Sequence, residues 1–323
     1  MVRVVVTQPK PHKKKRSGQG DSPENLRCGF IDKEGNVVIE PAFETAGPFQ
    51  SGRAAVADED GWHYIDRTGA VVIRDAPKTR TGPQVPRDFS EGLTVVNVDG
   101  RLGYMDTGGE IAIEPRYALA GSFSEGVALV EEPLGRSKDG LPRIRFGLID
   151  TKGKWVNYLP HTMELGFNDL VFSEGLLRFQ GDDEHRQLYG FLDRDGEWAI
   201  EPAHTNVGDF HEDRALFEYH GRWGWLDPEG EVAVDPLFDW AGDFSQGLAP
   251  AERDGKAGFI DRHGNTAIEF RYDRAASFSE GLAHVGEGDR HFYIDAQGKV
   301  AFECPFYASL DFSEGLAPFA AEV

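Results

Sequence analysis

The sequence predicts an all-β protein of eight tandem repeats, favouring a closed β-propeller-like toroid over an open β-solenoid of β-hairpins. Three observations carry this. An apolar strand ending in Asp recurs eight times, and a segment of the form F-S-E-G-L-A-x-V also recurs eight times. The two ends of the repetitive region are complementary halves of one unit.

Residues 1–27 stand apart from the repeats. They hold Arg3, Lys10, Lys13, Lys14, Lys15, Arg16 and Arg27 against only Asp21 and Glu24. Their Pro- and Gly-rich composition predicts a disordered basic tail. Its apolar stretch, Met1–Val6, is too short for a secretory signal, and the charges lie on the wrong side of it. Contact with an acidic partner or nucleic acid, or with the chain's own acidic body, are the other readings of that charge.

The repeat domain spans 28–323. Its Asp-terminated strands read GFID at 29–32, HYID at 63–66, GYMD at 103–106 and GLID at 147–150. They continue as GFLD at 190–193, GWLD at 224–227, GFID at 258–261 and FYID at 292–295. The second motif starts at Phe49, Phe89, Phe123, Phe172, Phe210, Phe244, Phe278 and Phe312. From Asp227 to Asp261 to Asp295, and from Phe244 to Phe278 to Phe312, each step is 34 residues.

Within a unit the elements follow from alternation and turn chemistry. Leu248–Arg253 alternates, Asp254-Gly255 is a hairpin signal, and Lys256–Asp261 is the returning strand. A D-x-x-G turn precedes a third strand at Thr266–Phe270, and Tyr272–Phe278 leads into the next unit with room for a short fourth strand. The turn recurs at Asp32, Asp66, Asp106, Asp150, Asp193, Asp227, Asp261 and Asp295. There the carboxylate can accept a backbone N–H two or three residues on, while Gly takes a positive φ. These loops lack the alternating carboxylates of a calcium loop, so the role predicted for them is structural.

These segments resemble the WG-repeat family, also written KWG. The shared features are the F-S-E-G-L-A-x-V segment, the W-G-F-I-D strand, the D-x-x-G turn and a V-I-x-P-x-Y-D segment. The resemblance covers about residues 28–323. The Trp-Gly pair is intact only at Trp223-Gly224, and the Trp position otherwise holds Cys28, Trp62, Leu102, Phe146, Tyr189, Ala257 and His291. The resemblance implies an interaction or scaffold repeat without shared catalytic machinery.

The phase of the repeats favours a ring. The ordered chain begins on an Asp-terminated strand and ends on the F-S-E-G-L-A segment at 312–317. Pairing Leu316–Phe319 with Gly29–Asp32 would remove both sheet edges, whereas an open stack calls for polar caps. Against this, 34 residues is short beside the about 40–45 of familiar propeller blades.

Four insertions break the regularity, around Arg74–Arg87, Glu131–Phe146, Asn157–Val171 and Gln180–Tyr189. Antiparallel strands would bring all four to one face, opposite the D-x-x-G turns. Two are basic against an acidic body, one with Arg74, Lys78, Arg80 and Arg87, the other with Arg136, Lys138, Arg143 and Arg145. These eight residues are the candidate binding site, for an acidic peptide or protein surface. Two carboxylate series, Glu40, Glu114, Glu201, Asp235, Glu269, Glu303 and Glu91, Glu125, Glu174, Glu280, Glu314, follow the repeat. A catalytic pair would be a local exception instead.

With 34 Lys+Arg against 55 Asp+Glu the net charge is -21, which argues against nucleic acid and anionic lipid as main partners. No apolar run is long enough to span a bilayer. Two cysteines, Cys28 and Cys304, supply neither a disulfide framework nor a four-ligand zinc site. The histidines show no metal-ligand spacing, and no nucleophile elbow, phosphate loop or dinucleotide fingerprint is present. The expectation is a cytoplasmic, monomeric, non-enzymatic scaffold for a protein partner, without cofactor or metal. A small-ligand or glycan module using Trp62, Trp155, Trp198 and Trp240 is the alternative.

Overall fold

The computed structural model describes residues 26–74, 86–140, 142–159, 171–183, 186–306, 308–309 and 311–322. Its regular elements are all β-strands, arranged as eight antiparallel sheets in a closed propeller ring. We number the blades from the one that joins the two ends and letter their strands a to d.

Blade 1 combines Ala308–Ser309, Ala317–Glu322, Leu26–Ile31 and Val37–Phe43. Leu26 pairs with Glu322 and Ile31 with Ala317, so the last strand is zipped to the first along its whole length. This strand exchange closes the ring and leaves neither end of the repeat array as an open template. Leu26 and Arg27 belong to this strand, two residues before the boundary read from the sequence.

Blade 2 runs from Thr45 to Ile73 and blade 4 from Leu119 to Tyr158. Blades 5, 6, 7 and 8 span Phe172–His204, Val207–Phe238, Trp240–Tyr272 and Arg274–Cys304. Among the described residues blade 3 shows three strands, Leu93–Val98, Arg101–Asp106 and Ile111–Tyr117. Four-stranded blades fit into 34 residues because strand a is only two residues long in most of them, and one residue joins it to the preceding strand d. Glu44, Ala118, Asp239 and Asp273 are such joints.

The Trp-Gly glycine has a backbone reason. In blades 1, 3, 5, 6 and 7 strand d bulges opposite it, as where Trp223 pairs with Phe238 but Trp225 pairs with Val234. A Cβ on Gly224 would lie 2.5 Å from Val234 O, and one on Gly29 2.4 Å from Ile39 O. Blades 2 and 8 carry His63 and Phe292 there. In blade 8 strand d runs straight past it, with His291, Phe292 and Tyr293 opposite Cys304, Glu303 and Phe302.

Aromatic contacts between blades form the core. The ring after that glycine packs on the motif Phe of the next blade, as in Phe30–Phe49 at 4.9 Å, Tyr104–Phe123 at 4.7 Å and Trp225–Phe244 at 5.3 Å. Tyr293–Phe312 at 5.0 Å makes the same contact from blade 8 to blade 1. Each such pair contributes about 0.5–1.5 kcal/mol beyond area burial. Among the described residues no helix is long and apolar enough to cross a membrane.

Candidate functional site

Antiparallel order fixes two faces. The a–b and c–d turns lie on one, and the b–c hairpins and d-to-a connections lie on the other. The faces use their polar groups differently.

On the turn face each D-x-x-G Asp accepts two amides, those two and four residues on. Asp32 Oδ1 takes Glu34 N at 3.1 Å and Asn36 N at 2.8 Å, and Asp261 Oδ1 takes His263 N and Asn265 N, both at 2.9 Å. The same pattern holds at Asp66, Asp106, Asp150, Asp193, Asp227 and Asp295. The second amide is thus four residues on, one beyond the sequence-based expectation, at the residue that immediately precedes strand d.

The a–b turns link into a belt. Their third motif residue, such as Glu91, Glu125, Glu280 or Glu314, sits at φ between 50° and 57°, followed by Gly in seven of eight turns. Two consecutive positive φ values match the right-handed twist of a tight hairpin, but Glu is strained there by about 1 kcal/mol or more. Its carboxylate offsets the strain by accepting the backbone N–H of the next turn. Gly126 N donates to Glu91 at 3.0 Å, Gly175 N to Glu125 at 3.0 Å and Gly315 N to Glu280 at 2.9 Å. Gly52 N donates to Glu314 at 2.9 Å across the closure, and Ser51, Glu174, Glu212 and Gln246 supply the other links. The motif Ser adds a second link: Ser90, Ser124, Ser173, Ser279 and Ser313 each donate to the carbonyl of the next motif Phe.

Cations of the c–d turns reinforce the belt. Lys33 Nζ lies 3.0 Å from Glu280, Arg194 2.9 Å from Glu125, and Arg262 3.1 Å from Glu212. Burial alone would raise the carboxyls of Glu280 and Glu125, but the cation and the amides outweigh it and hold both below the usual range. The first-series carboxylates, by contrast, are exposed on strand d, with Glu303 paired to Arg290 at 3.0 Å.

The opposite face carries the inserted segments. The b–c hairpin of blade 4 is a long arm, Val127–Arg136 returning as Pro142–Asp150. That of blade 5 runs Leu176–Asp183 and Arg186–Leu192. The other two insertions are d-to-a connections, from blade 2 to 3 and from blade 4 to 5. Each leaves the end of its strand d, Ile73 or Tyr158, on this face, and 75–85 and 160–170 fall outside the described residues.

The eight candidate cations have different surroundings. Lys78 and Arg80 lie outside the described residues. Arg87 is half-buried, and its carbonyl accepts Tyr64 Oη at 2.6 Å and Thr94 Oγ1 at 2.9 Å, which pins the end of its connection to blades 2 and 3. Arg136 donates to Gly140 O at 2.7 Å and closes the tip of the arm. Arg145 lies opposite Glu132, contacts its carboxylate at 3.4 Å, and stacks 5.4 Å from Trp155 and 5.6 Å from Tyr158. Arg116 of blade 3 holds the other oxygen of Glu132 at 3.4 Å. Arg74, Lys138 and Arg143 are exposed, with no ion pair among the described residues.

A carboxylate series before the motif Phe, at Asp88, Asp209, Asp243 and Asp311, was not singled out by sequence. Burial raises the carboxyls of Asp88, Asp243 and Asp311, whereas Asp209 is paired with Arg178 at 2.9 Å. Their spacing from the Phe positions was the available signal. Among the described residues no three His, Cys, Asp or Glu side chains are placed to hold a metal ion. Cys28 and Cys304 are not joined in a disulfide.

A family profile described as the WG containing repeat matches residues 29–62, 103–132, 189–223, 223–256, 258–290 and 292–320. The unmatched stretches 63–102 and 133–188 contain all or most of each insertion. No curated protein matches the chain. Solved structures it is similar to include a eukaryotic initiation factor, at 12% identity over 81% of this chain and 76% of that one, with a TM-score of 0.47. Another is the extracellular domain of a hybrid two-component system from B. thetaiotaomicron, at 12% identity, 86% and 44% coverage and a TM-score of 0.44; this chain spans less than half of that one. A third is the dihydro-heme d1 dehydrogenase NirN, at 15% identity, 92% and 76% coverage and a TM-score of 0.45. Similarity of this degree carries no argument about ligand or chemistry.

Proposed function

This chain belongs to the WG-repeat family, and from that premise we propose that it is a non-enzymatic scaffold whose inserted face binds an acidic segment of a protein partner. The observation that supports this best is the contrast between the two faces. On the turn face the repeated carboxylates are bonded, those of the D-x-x-G turns within their own blade and those of the a–b turns to the neighbouring blade. On the opposite face of blades 2–5 the chain departs from its own repeat and presents Arg74, Lys138 and Arg143 to solvent. Loops that vary on a rigid scaffold are where recognition residues concentrate. A basic rim on a chain of net charge -21 favours acidic ligands at that rim alone.

Affinity capture from source-cell lysate tests the reading, comparing the intact protein with a variant whose 131–146 arm is shortened to a two-residue hairpin. The expected result is a protein partner held by the intact chain, released by salt, and missing from the variant. Equal capture by both would remove the arm from the site. A second reading, a glycan or small-ligand module, is favoured by Trp240, which is 44% exposed on strand a of blade 7. A glycan array separates the two.

A further inference from the structure

Blade 8 holds a histidine pair on the face against which the ring-closing blade packs. His284 lies on strand Ala283–Glu287 and His291 on strand Arg290–Ile294. Tyr293 is opposite His284 in the ladder, and Gly286 is opposite His291, so all four residues share one face of the sheet. The two imidazoles stack at 5.1 Å with their planes 3° apart, and Tyr293 lies 5.4 Å from His284. Tyr293 in turn packs on Phe312 of blade 1, and Cys304, opposite His291, is buried beside Ile31, Phe312 and Phe319.

The position corresponding to His284 is apolar in most other blades, as at Val95, Leu129 and Leu216, and in blade 5 it is Arg178, whose charge is paired with Asp209 at 2.9 Å, whereas the His284 ring has no carboxylate partner among the described residues. A titratable ring here is a local departure from the repeat, at the blade that receives the closure.

We propose that His284, stacked on His291, is an acid-sensitive latch, which holds the ring closed while the His284 imidazole is neutral and loosens the closing blade when that imidazole takes up a proton. The charged neighbours favour this direction. Arg274 faces the pair from strand a, its Cγ 3.4 Å from the Cβ position of Gly286, while His291 Nδ1 is buried without a hydrogen-bond partner. Cys304 is the facing group on strand d. Glu287 is exposed at the hairpin tip, and Asp311 of the closing blade is itself raised by burial. Among the described residues no carboxylate pairs with either imidazole. Burial, then His291, then Arg274 lower the His284 value from 6.5 to about 4.

A depressed folded-state value means that the opened blade binds a proton between pH 6.5 and 4 that the closed one refuses. The latch is therefore at full strength above pH 6.5 and is lost as the pH falls towards 4. At pH 5 these limits favour opening by about 30-fold relative to neutral pH.

Hydrogen exchange at pH 7.5 and 5.0, corrected for intrinsic rates, tests the proposal. In the wild type the strands 26–31 and 317–322 should lose protection by about 30-fold, while 248–261 of blade 7 changes little. His284→Leu, which restores the residue type of blades 4 and 6, should abolish that difference. Equal loss in both regions, or the same loss in the variant, would overturn it. So would an NMR titration of wild-type His284 at or above pH 6.5, which does not depend on the variant folding.

Discussion

The two faces of the ring solve opposite problems with the same residue types. On the turn face the Glu280 carboxylate touches Gly315 N and Lys33, so it joins two blades through two contacts. On the inserted face Glu132 joins Arg145 of its own blade and Arg116 of the neighbour, while exposed charges such as Glu59, Asp60, Lys138 and Arg143 extend to solvent. A charge that bonds a backbone amide in the next blade ties the ring together, and one at the rim leaves it almost unaffected. The difference implies that the turn face sets stability and closure while the rim is free to vary.

The sharpest break of that comparison is Glu280→Ala combined with Glu314→Ala, which removes the links into and out of the closing blade. Both positions keep their strained φ of 50° and 53°, so only the bonds are lost. At roughly 1–3 kcal/mol for each orphaned amide, the pair should lower unfolding stability in urea by about 3 kcal/mol. Glu59→Ala with Asp60→Ala at the rim should stay within about 0.5 kcal/mol. Equal costs would dissolve the distinction. Acid should also shrink the effect of Glu280→Ala. The depressed Glu280 value means that its contribution is present above about pH 4.5 and fades as the pH falls through the folded-state value.

A smaller break is Ser313→Ala. Its hydroxyl donates to Phe49 O at 2.5 Å across the closure, and one such bond is worth about 1 kcal/mol. Ser245→Ala serves as the control. That Ser occupies the same motif position, but its side chain makes no such bond to the next Phe among the described residues. A cost at Ser245 as large as at Ser313 would mean that the hydroxyl acts within its own turn.

Much of the fold was legible because it rests on repeated local rules. The strands Leu248–Arg253 and Lys256–Asp261 and the pairing of 316–319 with 29–32 follow from alternation, the Asp-Gly turn and the phase of the repeat. The third strand runs two residues further than read, to Tyr272, because the bulge over Gly258 extends the ladder. The belt was not legible in its bonding, since the contact from Glu91 to Gly126 depends on how adjacent units lean together. The recurrence of Glu was visible, but not its partner. The basic rim was legible as composition, whereas only the structure shows that Arg145 is held by Glu132 and two rings while Arg143, two residues earlier, is exposed.

The smallest effect expected on stability belongs to the arm. Beyond Glu131 and Phe146 the hairpin leaves the dimensions of its neighbours, and Leu134, Gly135 and Arg136 are exposed. Replacing 132–145 by a two-residue turn that joins Glu131 to Phe146, as Asp254-Gly255 joins Arg253 to Lys256 in blade 7, closes a shorter loop and leaves the buried Phe146 in place. Loop-closure entropy then favours the shorter form by roughly 0.6 kcal/mol per halving of length. Loss of the contacts of Arg145 with Glu132, Trp155 and Tyr158 opposes it by about the same amount. The melting temperature should therefore shift by no more than a few degrees while partner capture disappears. A large drop in melting temperature would make the arm a structural part of blade 4, and the face it projects from would lose its claim to be the variable one.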